Sequence, residues 1–171
     1  MRPELKYGLL AGAGLCVWMA GEYLLGLHTT RVALGEYSGY FSVMIPLGLL
    51  YLLLQRTQAA NPAEPLGLGR GLATGLYASF IAAVIVYVFL VAYSRFFNPG
   101  WLDYTLDWKV AQWRARNISE IEIRQNITFY RQTHSPAGLI GTIVVGLTLM
   151  GGLCSLGLTF VVQRLFRLKQ A

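Results

Sequence analysis

The chain has 171 residues, 55% of them hydrophobic and only 13% charged, against about 25% charge in an ordinary soluble domain. Its mean hydropathy is +0.49, and the apolar residues are gathered into long blocks rather than spread in a helix or strand period, which excludes a conventional water-soluble fold. The formal net charge of +6 does not point to nucleic acid, because the basic residues sit at the margins of the apolar blocks and form no continuous stripe.

Crossing about 30 Å of hydrocarbon takes roughly 17–25 helical residues. Four segments are long enough: Tyr7–Leu27, Tyr37–Leu54, Gly71–Tyr93 and Ala137–Val162. The predicted fold is therefore all-α, a single polytopic membrane domain over residues 1–171. Four transmembrane helices are expected, with an extracytoplasmic helical hairpin in the long connection Ser94–Pro136 between helices 3 and 4.

The first segment follows a positive start, but its apolar run exceeds the roughly 7–15 residues of a secretory signal's core, so it is expected to remain as an anchor. It alone contains a formal charge, Glu22. Ionisable groups at that depth are costly and are functional candidates by default. The turn His28–Glu36 joins two antiparallel spans and carries one strong cation, Arg31. Glu22, Arg31 and Glu36 are therefore expected to form a polar cluster near the rim of the first hairpin.

In the second segment Pro46 removes a backbone hydrogen bond and predicts a bend. Three pairs of glycines at four-residue spacing, Gly8 with Gly12, Gly35 with Gly39 and Gly71 with Gly75, let helix backbones approach closely in lipid. The Gly-x-Gly runs at Gly12-Ala13-Gly14 and Gly67-Leu68-Gly69 follow no strand and lack a phosphate-binding loop's Lys-Ser/Thr ending.

The long connection has order of its own. Asn98 is placed to cap a helix starting at Pro99, with Trp101, Tyr104, Trp108, Ala111 and Ala115 on one seam and Leu102, Leu106, Val110 and Trp113 on another. Ser119 and Glu122 form a capping-box pattern for a second helix, with Ile123, Ile127 and Tyr130 on its seam. Tryptophan favours the membrane–water interface, so Trp101, Trp108 and Trp113 mark an interfacial segment. Asp103, Asp107, Glu120, Glu122 and His134 share this region, but a solvated helical face explains them without a catalytic or metal site. Cys16 and Cys154 lie singly in apolar blocks, away from any zinc-like spacing.

Four spans place both termini on one side. Arg2, Lys6, Arg56, Arg70, Arg164, Arg167 and Lys169 crowd the helix ends there, whereas most opposing basic residues share the long connection with acidic ones. The positive-inside rule is weighted toward short flanks, which puts both termini in the cytoplasm.

Several stretches resemble a bacterial membrane family, domain of unknown function 4199. They are Lys6-Tyr7-Gly8-Leu9 with Gly12, Gly35-Glu36 with Gly39-Tyr40 and Met44, Tyr87, Phe96-Phe97-Asn98-Pro99, and Ile118-Ser119-Glu120. The resemblance covers nearly the whole chain and implies four spans, a helical outer loop, a bacterial membrane and no assigned activity. Residues Gln55-Arg56-Thr57-Gln58 depart from it, being less charged. Together these features predict a non-enzymatic subunit or accessory component of the inner (plasma) membrane. It needs no cofactor, is embedded in the lipid bilayer, and associates with a second copy or another membrane protein. The alternatives are a small oligomeric transporter or channel using Glu22 and, third, an intramembrane enzyme.

Overall fold

A computed structural model describes residues 1–170, with side chains through Leu168; the Lys169 side chain, counted above among the basic flanks, lies outside the described residues. Every regular element among the described residues is helical: α1 (Pro3–Leu24), α2 (Val32–Ser42), α3 (Met44–Ala59), α4 (Leu68–Ala92), α5 (Trp101–Ala115), α6 (Glu120–Thr133), α7 (Pro136–Leu139) and α8 (Gly146–Gln170). Two π-helical turns, Tyr93–Phe97 and Ile140–Val145, extend α4 and lead into α8.

Among the described residues three helical stretches, not the four expected, are long and apolar enough to cross a membrane: Val32–Ala59, Leu68–Phe97 and Pro136–Leu168. The predicted first span, Tyr7–Leu27, is the one that falls short. Its helix ends at Leu24, and Glu4, Lys6, Glu22, Trp18 and four glycines dilute its apolar residues. The predicted second span is broken at Val43, because Pro46 lacks the N–H that would bond to the Ser42 carbonyl one turn earlier.

α1, α3, α4 and α8 form a four-helix bundle. α1 and α4 run in parallel, with Gly8 against Ala78 and Ile81 and Gly12 against Ile85. α8 returns along α4, placing Thr159 on Gly71, Ser155 on Gly75 and Ser79 on Gly151. Two hydroxyls in this seam bond within their own helix: Ser155 to the Gly152 carbonyl and Thr159 to that of Ser155, each at 2.6 Å. They therefore need no partner across the seam.

Tyr7, Leu50, Leu53, Leu54, Leu66 and Val162 form one buried cluster. The start of α1, the end of α3, the start of α4 and the end of α8 thus meet at the same end of the bundle. Buried Gln58 orders the α3–α4 connection there, its amide donating to the Glu64 carbonyl (2.9 Å) and its oxygen accepting from the Leu66 N–H (2.6 Å).

α5 and α6 cap the other end. Leu106 and Ile123 are buried within the cap, at 3% and 1% exposure. Of the two α5 seams, the one through Leu102, Leu106, Val110 and Trp113 turns inward, while the other splits: Trp101 and Trp108 are half-buried, and Tyr104, Ala111 and Ala115 face out. Ser119 caps α6 by accepting from the Glu122 N–H at 3.3 Å. Asn98 does not cap α5, which starts after Gly100 without a side-chain cap; its amide is used elsewhere.

Candidate functional site

The capped end gathers a connected network of polar side chains, beginning at the end of α1. Gly26, with φ +73°, takes the left-handed conformation that terminates helices. The Gly26 N–H bonds to the Tyr23 carbonyl and the Leu27 N–H to the Glu22 carbonyl, both at 2.9 Å, the paired bonds of a Schellman stop. The chain then turns so tightly that the N–H groups of Thr29, Thr30 and Arg31 all donate to the Gly26 carbonyl. This brings the His28 ring back beside Glu22.

Glu22 is buried, at 7% exposure. Its Oε1 accepts from Trp18 Nε1 at 2.9 Å, one turn earlier on the same helix face, and its Oε2 lies 3.2 Å from His28 Nε2. His28 Nδ1 is 2.8 Å from the Tyr93 hydroxyl, which also accepts from Asn98 Nδ2 at 2.9 Å. A carboxylate can only accept, so opposite an ionised Glu22 a neutral His28 donates from Nε2 and accepts at Nδ1 from the Tyr93 O–H. The bonds therefore run in one direction, from Asn98 through Tyr93 and His28 to Glu22.

Tyr93 owes its place to the π turn, in which the Asn98 N–H bonds to the Tyr93 carbonyl at 2.9 Å. That closure folds the Asn98 amide back onto the Tyr93 ring. Tyr23 packs edge-on against Tyr93, with ring centroids 5.6 Å apart, and donates its hydroxyl to the Phe97 carbonyl at 3.3 Å.

Beside this network a cavity of about 200 Å³ lies between α1, α2, α4 and the cap. Trp101, Trp108 and Tyr130 line it from above and Leu27, Val32 and Leu90 from below. Lys109 Nζ is 3.0 Å from Glu36 Oε1 and 5.5 Å from the ring centroids of both Trp108 and Tyr130. This pair joins α5 to α2.

The profile of a family described as "Protein of unknown function (DUF4199)" matches residues 6–164. The chain belongs to that family. No curated protein and no solved structure matches it.

The expected cluster of Glu22, Arg31 and Glu36 is rearranged in this DUF4199 chain. Glu22 bonds to His28 and Trp18, Glu36 pairs with Lys109, and Arg31 is exposed and forms no ion pair among the described residues. Trp18 was legible as a partner, lying four residues before Glu22 on one helix face, and Gly26 carried the signal for the turn that returns His28. Nothing local pointed to Tyr93 or Lys109, which lie 65 and 73 residues from their partners on the first hairpin, and Asn98 joins the network only through Tyr93.

The glycine pairs differ in the same way. Gly8, Gly12, Gly71 and Gly75 each lie against a neighbouring helix. Gly35 instead lies against the Leu27 carbonyl of the preceding turn, and Gly39 has no atom within 4 Å of where a Cβ would stand. Trp113 is half-buried on the cap like Trp101 and Trp108, but away from the cavity.

Proposed function

We propose that this DUF4199 chain is a non-enzymatic, multi-pass component of the bacterial inner membrane, a subunit or accessory protein that presents its cap to a partner outside the cytoplasm. The carrying observation is a cap that buries its own seam and is tied to the bundle, yet leaves Ile121 and Phe129 at 68% and 65% exposure. A cap serving only as a solvated loop has no need to keep such large apolar side chains in reach of a neighbour.

The orientation follows the charge. Arg2, Lys6, Arg56, Arg70, Arg164 and Arg167 belong to the bundle end where the N-terminus, the α3–α4 connection and the end of α8 meet, and short basic flanks favour the cytoplasmic face. In this reading Glu22 is a structural anchor for the cap rather than a transport site, since its carboxylate is occupied by the chain's own donors.

Two measurements test the proposal. Single cysteines at Asn61 and Gln112, in a background lacking Cys16 and Cys154, should differ in labelling of intact cells by an impermeant reagent, with Gln112→Cys labelled and Asn61→Cys protected; the reverse pattern inverts the orientation. A photocrosslinking residue at Phe129 should yield one discrete protein adduct, either a second copy or another membrane protein. Adducts with lipid alone would overturn the partner reading.

A further inference from the structure

We propose that the cavity under the cap binds the head group of a phospholipid bearing a primary ammonium, as in phosphatidylethanolamine. The inference rests on the membrane location argued above and on the charges that face the cavity. One carboxylate, Glu36, and one cation, Lys109, line it as a pair, which a head group that is itself zwitterionic can match charge for charge. The aromatic walls add the negative faces of Trp108 and Tyr130, which attract cations held within about 6 Å of a ring centroid.

The chain itself displays the ligand chemistry. The Lys109 ammonium occupies the place that Glu36 and the two rings define, 3.0 Å from the carboxylate and 5.5 Å from each ring. That place therefore accepts a primary ammonium on a flexible alkyl stem. Glu36 is 40% exposed on its side chain, so the pair is open at its edge and a second ammonium can reach it. Lysine has four rotatable stem carbons, and its head can leave without backbone movement.

An incoming ammonium that displaces Lys109 leaves a cation with no counter-ion beside a small apolar cavity. A ligand whose phosphate lies one ethylene unit from its ammonium answers this: the ammonium takes Glu36 and the rings, and the phosphate takes Lys109. The half-buried tryptophans favour a head group that arrives at the membrane interface over one arriving from bulk water. A phosphatidylglycerol head supplies the phosphate without the ammonium, and a phosphatidylcholine head supplies a cation that cannot donate a hydrogen bond to Glu36.

The experiment uses the full chain in a detergent lacking phosphate and amine, and follows tryptophan fluorescence on titration with short-chain phospholipids. Short-chain phosphatidylethanolamine should bind at least tenfold tighter than the phosphatidylglycerol analogue, and Glu36→Gln should remove that preference. Lys109→Gln should weaken phosphatidylethanolamine but strengthen binding of ethanolamine alone, because the internal competitor is gone; a purely structural lysine would not produce this reversal. Circular dichroism and melting of each variant confirm that it is folded.

Equal affinity for the two lipids, or an unchanged preference in folded Glu36→Gln, would overturn the proposal. Soluble phosphoethanolamine binding as tightly as the lipid would overturn the assignment to a membrane source. Failure of the underlying membrane reading is separate, and would appear as a chain that stays monodisperse without detergent.

Discussion

Where α4 meets α8 the chain achieves contact by removing side chains, whereas under the cap it fills the space with rings and hydrogen bonds. Gly71, Gly75 and Gly151 bring the two helices so close that hydroxyl-bearing side chains of one rest on the backbone of the other. The Ser155 and Thr159 hydroxyls are already satisfied within α8. At the capped end, Trp18, Glu22, His28, Tyr93 and Asn98 depend on one another for satisfaction. The seam should therefore be sensitive to volume and indifferent to hydrogen-bonding chemistry, and the capped end the reverse.

The largest effect should come from adding volume to the seam. Gly75→Leu puts a Cβ onto the Ser155 side chain, with no room to yield, and should cost about 3 kcal/mol, the upper part of the usual range for overpacking. Ser155→Gly in the same chain should recover part of that loss. Gly39→Ala, which meets nothing within 4 Å, should be neutral or stabilise by about 0.5–1 kcal/mol through helix propensity. Thermal unfolding in detergent measures all three, and equal losses at Gly75 and Gly39 would erase the distinction.

At the capped end, His28→Ala removes one partner each from buried Glu22 and Tyr93 and should cost about 2 kcal/mol, the penalty for stranding buried polar groups. Arg31→Ala should change stability by less than about 0.5 kcal/mol, as expected for an exposed side chain. The same unfolding assay decides between them. A larger loss at Arg31 would reinstate the cluster expected from sequence in place of the one described.

Within the cap, Ser119→Ala removes the side-chain cap of α6 and should cost about 1 kcal/mol, read as faster amide exchange in the first turn after Glu120. The smallest effect belongs to Arg114 and Glu120, paired at 2.8 Å but well exposed. The arginine's hydrogen bond holds the Glu120 carboxyl below its usual range. A depressed acid contributes stability above its unfolded pKa and loses it as pH falls through the folded value. Acidification should therefore loosen the α5–α6 turn slightly, and Glu120→Gln should abolish that pH dependence by bringing the neutral-pH stability down to the same slightly lower level.

The long apolar blocks made the later spans and the all-helical fold legible, because lipid burial is written in composition over some twenty residues. α1 misled for the same reason: its small residues serve α3 and α4 rather than lipid, so its composition reads as only marginally membrane-like. Local signals served well where the interaction was local, as with Ser119 capping α6 and Pro46 breaking the second span. They failed at Asn98, whose capping signal was real but whose amide went to a tyrosine placed by a π turn. Whether a carboxylate such as Glu22 finds an arginine or a histidine depends on how a six-residue turn is wound, and Gly26 alone carried that information.

The π turn at Tyr93–Phe97 also has a consequence for chain length. A wide turn of this kind holds one residue more than an α-helix would over the same rise, and each residue rotates an α-helix by about 100°. Deleting one residue between Ser94 and Phe97 would let α4 run on as a regular helix, the same N–H reaching the Tyr93 carbonyl as an ordinary helical bond, and the cap would keep its facing. Inserting one residue has no such slack to draw on: it would turn Asn98, α5 and α6 by about 100° about the α4 axis, carrying Lys109 away from Glu36. A one-residue insertion here should therefore be far more damaging than a one-residue deletion.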